Sequence, residues 1–200
     1  MIISKNILVE PGPTLIAGSP QGFDALILAE LAQKGRDVLF VARDDVRAKR
    51  TADALAFFAP NVECLSFPAW DCLPYDRVSP LVDVVSQRID ALTRLLDPRP
   101  EHTGRIVLST VSAVLQRVPP GQSFAGAVFD AATGDRLDPQ DLVRFALGHG
   151  YTDSETVMEP GELAVRGGIL DIFPPGRTEP VRLDFFGDEV EAIRTFDPAS

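Results

Sequence analysis

The chain has 200 residues, 45% hydrophobic and 24% charged, with a formal net charge of −10. That size and mixture suit a globular chain of one large domain or two small ones, each able to bury a core. The acidic balance argues against a general nucleic-acid binder, the two cysteines (Cys64 and Cys72) make no disulfide framework, and no apolar run reaches the roughly 18–20 residues that cross a bilayer. The opening MIISKNILVEPGP lacks a long apolar core and an A-x-A site, so it does not read as a secretion signal. The expectation is a cytoplasmic protein with reduced thiols and no membrane partner.

In chain order, TLIAG (14–18) predicts a strand, followed by a glycine-bearing turn and a helix carrying Leu26, Ile27, Ala29 and Leu31. DVLFVAR (37–43) is a continuous apolar run, the pattern of a strand buried on both faces. Residues 45–58 place Val46, Ala54, Leu55 and Phe58 at helical spacing, and VECLSF (62–67) predicts a third strand. SPLVDVVSQRIDALTRLL (79–96) predicts a helix capped by Ser79, with Pro80 in its first turn. Leu81, Val84, Val85, Ile89, Leu92, Leu95 and Leu96 would form its broad apolar face. RIVLST (105–110) supplies a fourth strand and VSAVLQRV a turn or two of helix. Such alternation predicts an α/β fold with a parallel sheet and helices on its faces.

The pattern breaks at VPPGQ (118–122), which divides the chain into domains 1–118 and 119–200, the second of α+β type. SFAGAVF (123–129) predicts a strand, DAATGDR a turn, and Asp138-Pro139 the start of a helix that stops near Gly148 or Gly150. The last fifty residues are strand-rich. Gly187-Asp188 reads as a two-residue hairpin turn, which sets Phe186 opposite Glu189 and Asp184 opposite Glu191. Val181, Leu183 and Phe185 then cover the core, while Arg182, Phe186 and Glu189 crowd the outer face. An aromatic ring beside arginine on a polar face is the composition of a protein-binding hot spot. Arg166 shares parity with Leu170 and Ile172, so a regular strand would turn it inward unless a bulge at Gly167-Gly168 re-aims it.

The turn AGSPQGFD (17–24) has the outline of a phosphate loop. With Gly22 as the last loop glycine, Ala17, Phe23 and Asp24 fall where a Walker A loop needs glycine, lysine and a hydroxyl. Phe23 supplies no charge and Asp24 repels phosphate, so ATP hydrolysis here is not expected. The same turn resembles the glycine pattern of short-chain dehydrogenases, which makes an NAD(P)-dependent enzyme the leading rival. Its Tyr–Lys pair is missing, however: Tyr75 is followed four residues later by Ser79 and Tyr151 by Glu155, and the lysines are Lys5, Lys34 and Lys49. A βαβ unit that uses Gly18 and Gly22 only to turn is favoured. His102 falls in a loop and His149 at a helix end, neither at zinc spacing from the cysteines. Glu155, Glu159 and Glu162 read as solvated carboxylates rather than an acid/base set.

Two long stretches carry a resemblance. GYTDSETVMEPGELAVRGGILDIFPPG (150–176) and RLDFFGDEVEAIRTFDP (182–198) resemble the segment shared by the transcription-repair coupling factors (the Mfd family) and the excision-repair protein UvrB. FPAWDCLPYDRVSPLVDVVSQRIDALTRLL (67–96) is similar to the coupling factors in particular. The resemblance implies a UvrB-like module: a P-loop-like domain 1a near 1–118 with a degenerate Walker A, then a domain 2. Loss of the loop's lysine favours the coupling factors over UvrB, which keeps it. The resemblance also implies that domain 2 binds UvrA through Arg166, Arg182, Phe186 and a nearby acid, Asp188 or Glu189. It implies no catalysis and no cofactor in this piece. The family's ATP-driven motor and its RNA polymerase and duplex DNA contacts lie beyond FDPAS, so a truncated chain is expected. No counterpart of UvrB's damage-engaging hairpin fits between Tyr75 and the 79–96 helix, which weighs against a UvrB-like DNA-binding fragment.

Overall fold

A computed structural model describes residues 12–73, 79–97, 104–124, 126 and 128–198. Its elements are α1 (Phe23–Gln33), β1 (Val38–Ala42), α2 (Asp45–Phe58), β2 (Glu63–Phe67), α3 (Val82–Leu96), β3 (Arg105–Thr110), α4 (Val111–Val114), a 3-10 turn (Gly121–Phe124), α5 (Pro139–Gly148), β4 (Thr152–Asp153), β5 (Glu162–Arg166), β6 (Ile169–Ile172), β7 (Val181–Phe186) and β8 (Glu189–Thr195). The chain forms two compact units. One holds the described residues up to Trp70 together with Asp97–Arg117; the other holds Asp71–Leu96 and the described residues from Val118 onward.

In the first unit three strands pair in parallel in the order β1-β3-β2, with Phe40 beside Leu108 and Leu65 beside Val107. The apolar periods of α1 and α2 turn Ala25, Leu28, Ala29, Ala32 and Leu55 onto one face of this sheet, against Ile106, Leu108, Val38 and Phe40. Burying side chains such as Leu55 or Ile106 contributes about 1.5–3 kcal/mol each. Small residues let α1 approach closely: a Cβ on Gly104 would lie 2.3 Å from the Ala32 carbonyl oxygen. Asp44 caps α2 by accepting the Arg47 backbone N–H at 2.8 Å.

Two expectations fail here. TLIAG is not a strand: residues 14–18 pair with no strand among the described residues, and Leu15 is 91% exposed. A strand is defined by its neighbour, so apolar composition alone does not make one. DVLFVAR does form β1, but it is covered on one face only. Both α1 and α2 pack on the side of Val38 and Phe40, leaving Leu39 and Val41 59% and 41% exposed.

The second unit is built on a five-stranded sheet in the order β4-β5-β6-β7-β8, with β4 parallel to β5 and the other pairs antiparallel. Its inner face is Leu163, Leu170, Ile172, Val181 and Leu183, covered by Leu142 and Ala146 of α5. The start of α5 is as read from sequence: Asp138 accepts the Gln140 N–H at 2.8 Å and Pro139 takes the first position. The DAATGDR turn also forms, with the Asp135 N–H donating to the Ala132 carbonyl. Among the described residues of SFAGAVF no strand forms, and Gly121–Phe124 is a 3-10 turn. The helix expected from Ser79 begins instead at Val82, and the Leu81 N–H donates to the Asp71 carboxylate at 3.2 Å. Its buried residues are Ser86, Arg88 and Ala91; of the expected apolar face Val84, Val85 and Leu92 are half-buried, while Leu81, Ile89, Leu95 and Leu96 are exposed. Lys5, Tyr75 and His102 lie outside the described residues. Among the described residues no helix is long and apolar enough to cross a membrane.

Candidate protein-binding site

The outer face of the second sheet is set by two tight hairpins. At the first, Arg166 pairs with Ile169 across Gly167-Gly168. Gly167 has φ 61°, and a Cβ on Gly168 would lie 2.8 Å from the Phe185 carbonyl oxygen, so the turn needs both glycines. A two-residue turn keeps residues i and i+3 on one face. Arg166 therefore shares the face of Ile169 and Asp184, not that of Leu170 and Ile172. Of the two orientations left open by the sequence, the outward one is found, through a hairpin turn and not a bulge. At the second hairpin Phe186 pairs with Glu189 across Gly187-Asp188, as expected. Asp184 pairs with Ala192 rather than Glu191, because the register shifts between Asp184 and Phe185 and Glu191 becomes the extra residue.

Three rows of the outer face follow from the register. Ala164, Asp171, Arg182 and Arg194 form the first, and Arg166, Ile169, Asp184 and Ala192 the second. Phe186 and Glu189 lie in the third, at the hairpin tip. Phe186 is 80% exposed, whereas Phe185, on the inner face, packs against the core. Asp188 and Glu189 are exposed beside it.

The arginines differ in how they are held. Arg182 donates from Nε and Nη2 to the two oxygens of Asp171 at 2.6 and 2.8 Å, and its guanidinium lies 4.8 Å from the centre of the Phe196 ring. Hydrogen bonding to Asp171 raises the Arg182 pKa above its usual value. Arg166 donates to the Glu155 carbonyl and the Thr156 hydroxyl. Arg194 donates to Asp184 at 2.6 Å. Phe196 rests on Val157, Ala164 and Phe173, a small apolar cluster beneath the arginine. Sequence reasoning missed Asp171, Phe196 and Arg194. The signal for Asp171 was a lone carboxylate inside the apolar strand ILDI, since a buried charge needs a partner.

The other candidates are structural. Glu162 accepts the backbone N–H groups of Met158 and Glu159 at 2.7 and 2.9 Å and the Ser154 hydroxyl at 3.1 Å. The Met158 and Glu159 amides hold its pKa below the usual carboxylate value. His149 caps α5, with Nδ1 2.7 Å from the Phe145 carbonyl and its ring 4.1 Å from that of Phe145. Burial pushes the Tyr151 hydroxyl up to about 12. At the glycine turn, Gly18 and Gly22 take φ 69° and 85°, and Gly22 precedes α1 without a side-chain cap. Asp24 lies in the first turn of α1 and accepts from Arg47 Nη2 at 2.6 Å. Among the described residues no cluster of histidine, cysteine or carboxylate side chains could hold a metal ion.

The exposed Phe186 thus stands at a hairpin tip of a mixed five-stranded sheet, on the face that carries Arg166 and Arg182. Residues 129–200 match the UvrB interaction domain family. Along most of its length the chain is similar to transcription-repair-coupling factors. It is 38% identical over 96% of its length to the transcription-repair-coupling factor of Haemophilus influenzae, 35% over 86% to that of Escherichia coli, and 34% over 93% to that of Mycobacterium bovis. It spans 16%, 15% and 15% of those proteins' own lengths. The resemblance first carried by the two long motifs thus holds along nearly the whole chain.

Proposed function

We propose that this chain is a non-catalytic recruitment module that docks UvrA, as part of a longer protein coupling stalled transcription to excision repair. The observation that carries this reading is Phe186, exposed at the tip of the β7–β8 hairpin on the face that holds Arg166 and Arg182. Asp188 and Glu189 complete the patch with negative charge at its rim. Large exposed aromatics next to arginine supply most of the binding energy in small interfaces, because a ring buries much area at little entropic cost. Contacts to RNA polymerase and duplex DNA, and any ATP-driven step, belong in this reading to parts of the protein outside this chain.

The first unit serves as a scaffold and holds no nucleotide. Asp24 supports this: its carboxylate already occupies the positive end of α1 and is neutralised by Arg47, so an incoming phosphate meets a filled site. The turn is read as a degenerate Walker A loop on that basis.

Calorimetric titration of UvrA into the chain tests the proposal. Wild type binds, and Phe186→Ala loses about 2 kcal/mol or more, roughly 30-fold in Kd. Equal binding by a folded Phe186→Ala variant removes the site assignment.

A further inference from the structure

We infer that Arg136, some fifty residues upstream of the hairpin, is a contact residue of the same docking face and meets a carboxylate on the partner. The inference rests on the docking reading above.

The segment 132–137 is a turn followed by one bridge residue, and it lies along the tip of the β7–β8 hairpin. Gly134 N–H donates to the Val190 carbonyl at 2.8 Å, Val190 N–H to the Asp135 carbonyl at 2.9 Å, and Leu137 N–H to the Asp188 carbonyl at 2.8 Å. The segment's own turn is closed by Ala132 N–H donating to the Asp135 carboxylate at 2.7 Å. Arg136 forms an antiparallel bridge with Glu189. Residues opposed in an antiparallel bridge share a face. Because Glu189 also opposes Phe186, the third row of the outer face runs Arg136, Glu189, Phe186.

Arg136 differs from the other arginines of this face in its donors. Arg166 is occupied by the Glu155 carbonyl and Thr156, Arg182 by Asp171, and Arg194 by Asp184. Arg136 is exposed, and among the described residues its side chain makes no hydrogen bond or ion pair. Its whole fork is available to an external acceptor, and a guanidinium meets a carboxylate in bidentate fashion. The occupied arginines shape the surface; Arg136 presents a charge to whatever covers Phe186. The partner chemistry that fits is an apolar socket for the Phe186 ring with an acidic side chain at its edge.

The experiment measures affinity for purified UvrA of wild type, Phe186→Ala, Arg136→Ala, Arg136→Glu and Arg136→Lys, at two salt concentrations. Arg136→Ala weakens binding about 5–10-fold and flattens the salt dependence, Arg136→Glu weakens it more, and Arg136→Lys recovers part of the loss. The segment 132–137 is held to the hairpin by main-chain bonds, so all three Arg136 variants keep the thermal midpoint of wild type; a purely structural role would move that midpoint. If the Arg136 variants bind within twofold of wild type while Phe186→Ala fails, the Arg136 assignment falls and the docking reading stands. If wild type itself does not bind, the docking reading falls and takes this inference with it.

Discussion

Arg182 and Asp171 form a bidentate pair across β7 and β6, with Asp171 buried and Arg182 about one-third exposed. The strands bring them opposite one another, and the Phe196 ring lies against the guanidinium. Arg182 is therefore a fixed part of the surface before any partner arrives, which lowers the entropy lost on docking.

This pairing makes Arg182→Ala a compound variant. It removes part of the docking surface and leaves the Asp171 carboxylate buried alone, at a cost of about 2–3 kcal/mol, below the range for fully buried pairs because Arg182 is partly solvated. Asp171→Ala combined with Arg182→Ala regains much of that stability without regaining UvrA affinity. Urea unfolding alongside calorimetry checks both halves. If the double variant is no more stable than Arg182→Ala, the buried-charge account is wrong.

Phe186→Ala behaves in the opposite way. The ring is 80% exposed and contributes little to the core, so the unfolding midpoint moves by less than about 0.5 kcal/mol while docking fails. Its neighbour Phe185 points the other way, into the apolar cluster, and Phe185→Ala costs about 3 kcal/mol of stability. The contrast between adjacent phenylalanines, measured by chemical denaturation, tests the register of β7 directly.

The Gly187-Asp188 hairpin and the Asp138-Pro139 helix start could be read from sequence because their cause is local: a turn pair between alternating strands, and capping chemistry. The Gly167-Gly168 hairpin was not: residues 162–176 read as one strand with a bulge, and only the pairing shows two strands. What could not be read depends on distant chain. Residues 14–18 have strand composition but lack a neighbour, and Leu39 and Val41 look like core until both helices are found on one face. Glu191 as the extra residue, Asp171 as the partner of Arg182, and the bridge from Arg136 to Glu189 all arise from pairing between segments, which spacing within one segment does not encode. That Arg182 and Phe186 lie on one side was legible, since strand alternation puts them there. The side of Arg166 stayed open in the sequence, because parity does not carry through a turn.

Gly168 gives a steric test of how the two hairpins are joined. Its carbonyl accepts the Phe185 N–H at 2.7 Å, and an added Cβ would lie 2.8 Å from the Phe185 carbonyl oxygen. Gly168→Ala forces β6 and β7 apart at this point and costs about 1–3 kcal/mol. The displacement reaches Phe186, so UvrA affinity falls with stability. A variant as stable as wild type and equally tight in binding would mean that the strands yield without strain.

Glu162 supplies the pH dependence. Its folded-state pKa lies below the value in the unfolded chain, because the Met158 and Glu159 amides and the Ser154 hydroxyl stabilise the charged form. A depressed carboxylate pKa means that the unfolded chain binds the proton more tightly. The stabilisation is present above the unfolded value of about 4.3 and is lost as pH falls through the folded value. Glu162→Gln keeps the shape and removes the charge, so it is less stable than wild type at pH 7 by about 1 kcal/mol, a modest figure for a solvent-screened group. The gap between the two urea midpoints narrows as the pH is lowered from 5 towards 3. A gap that stays constant over that range would show that the Glu162 charge does not support the loop at 154–161.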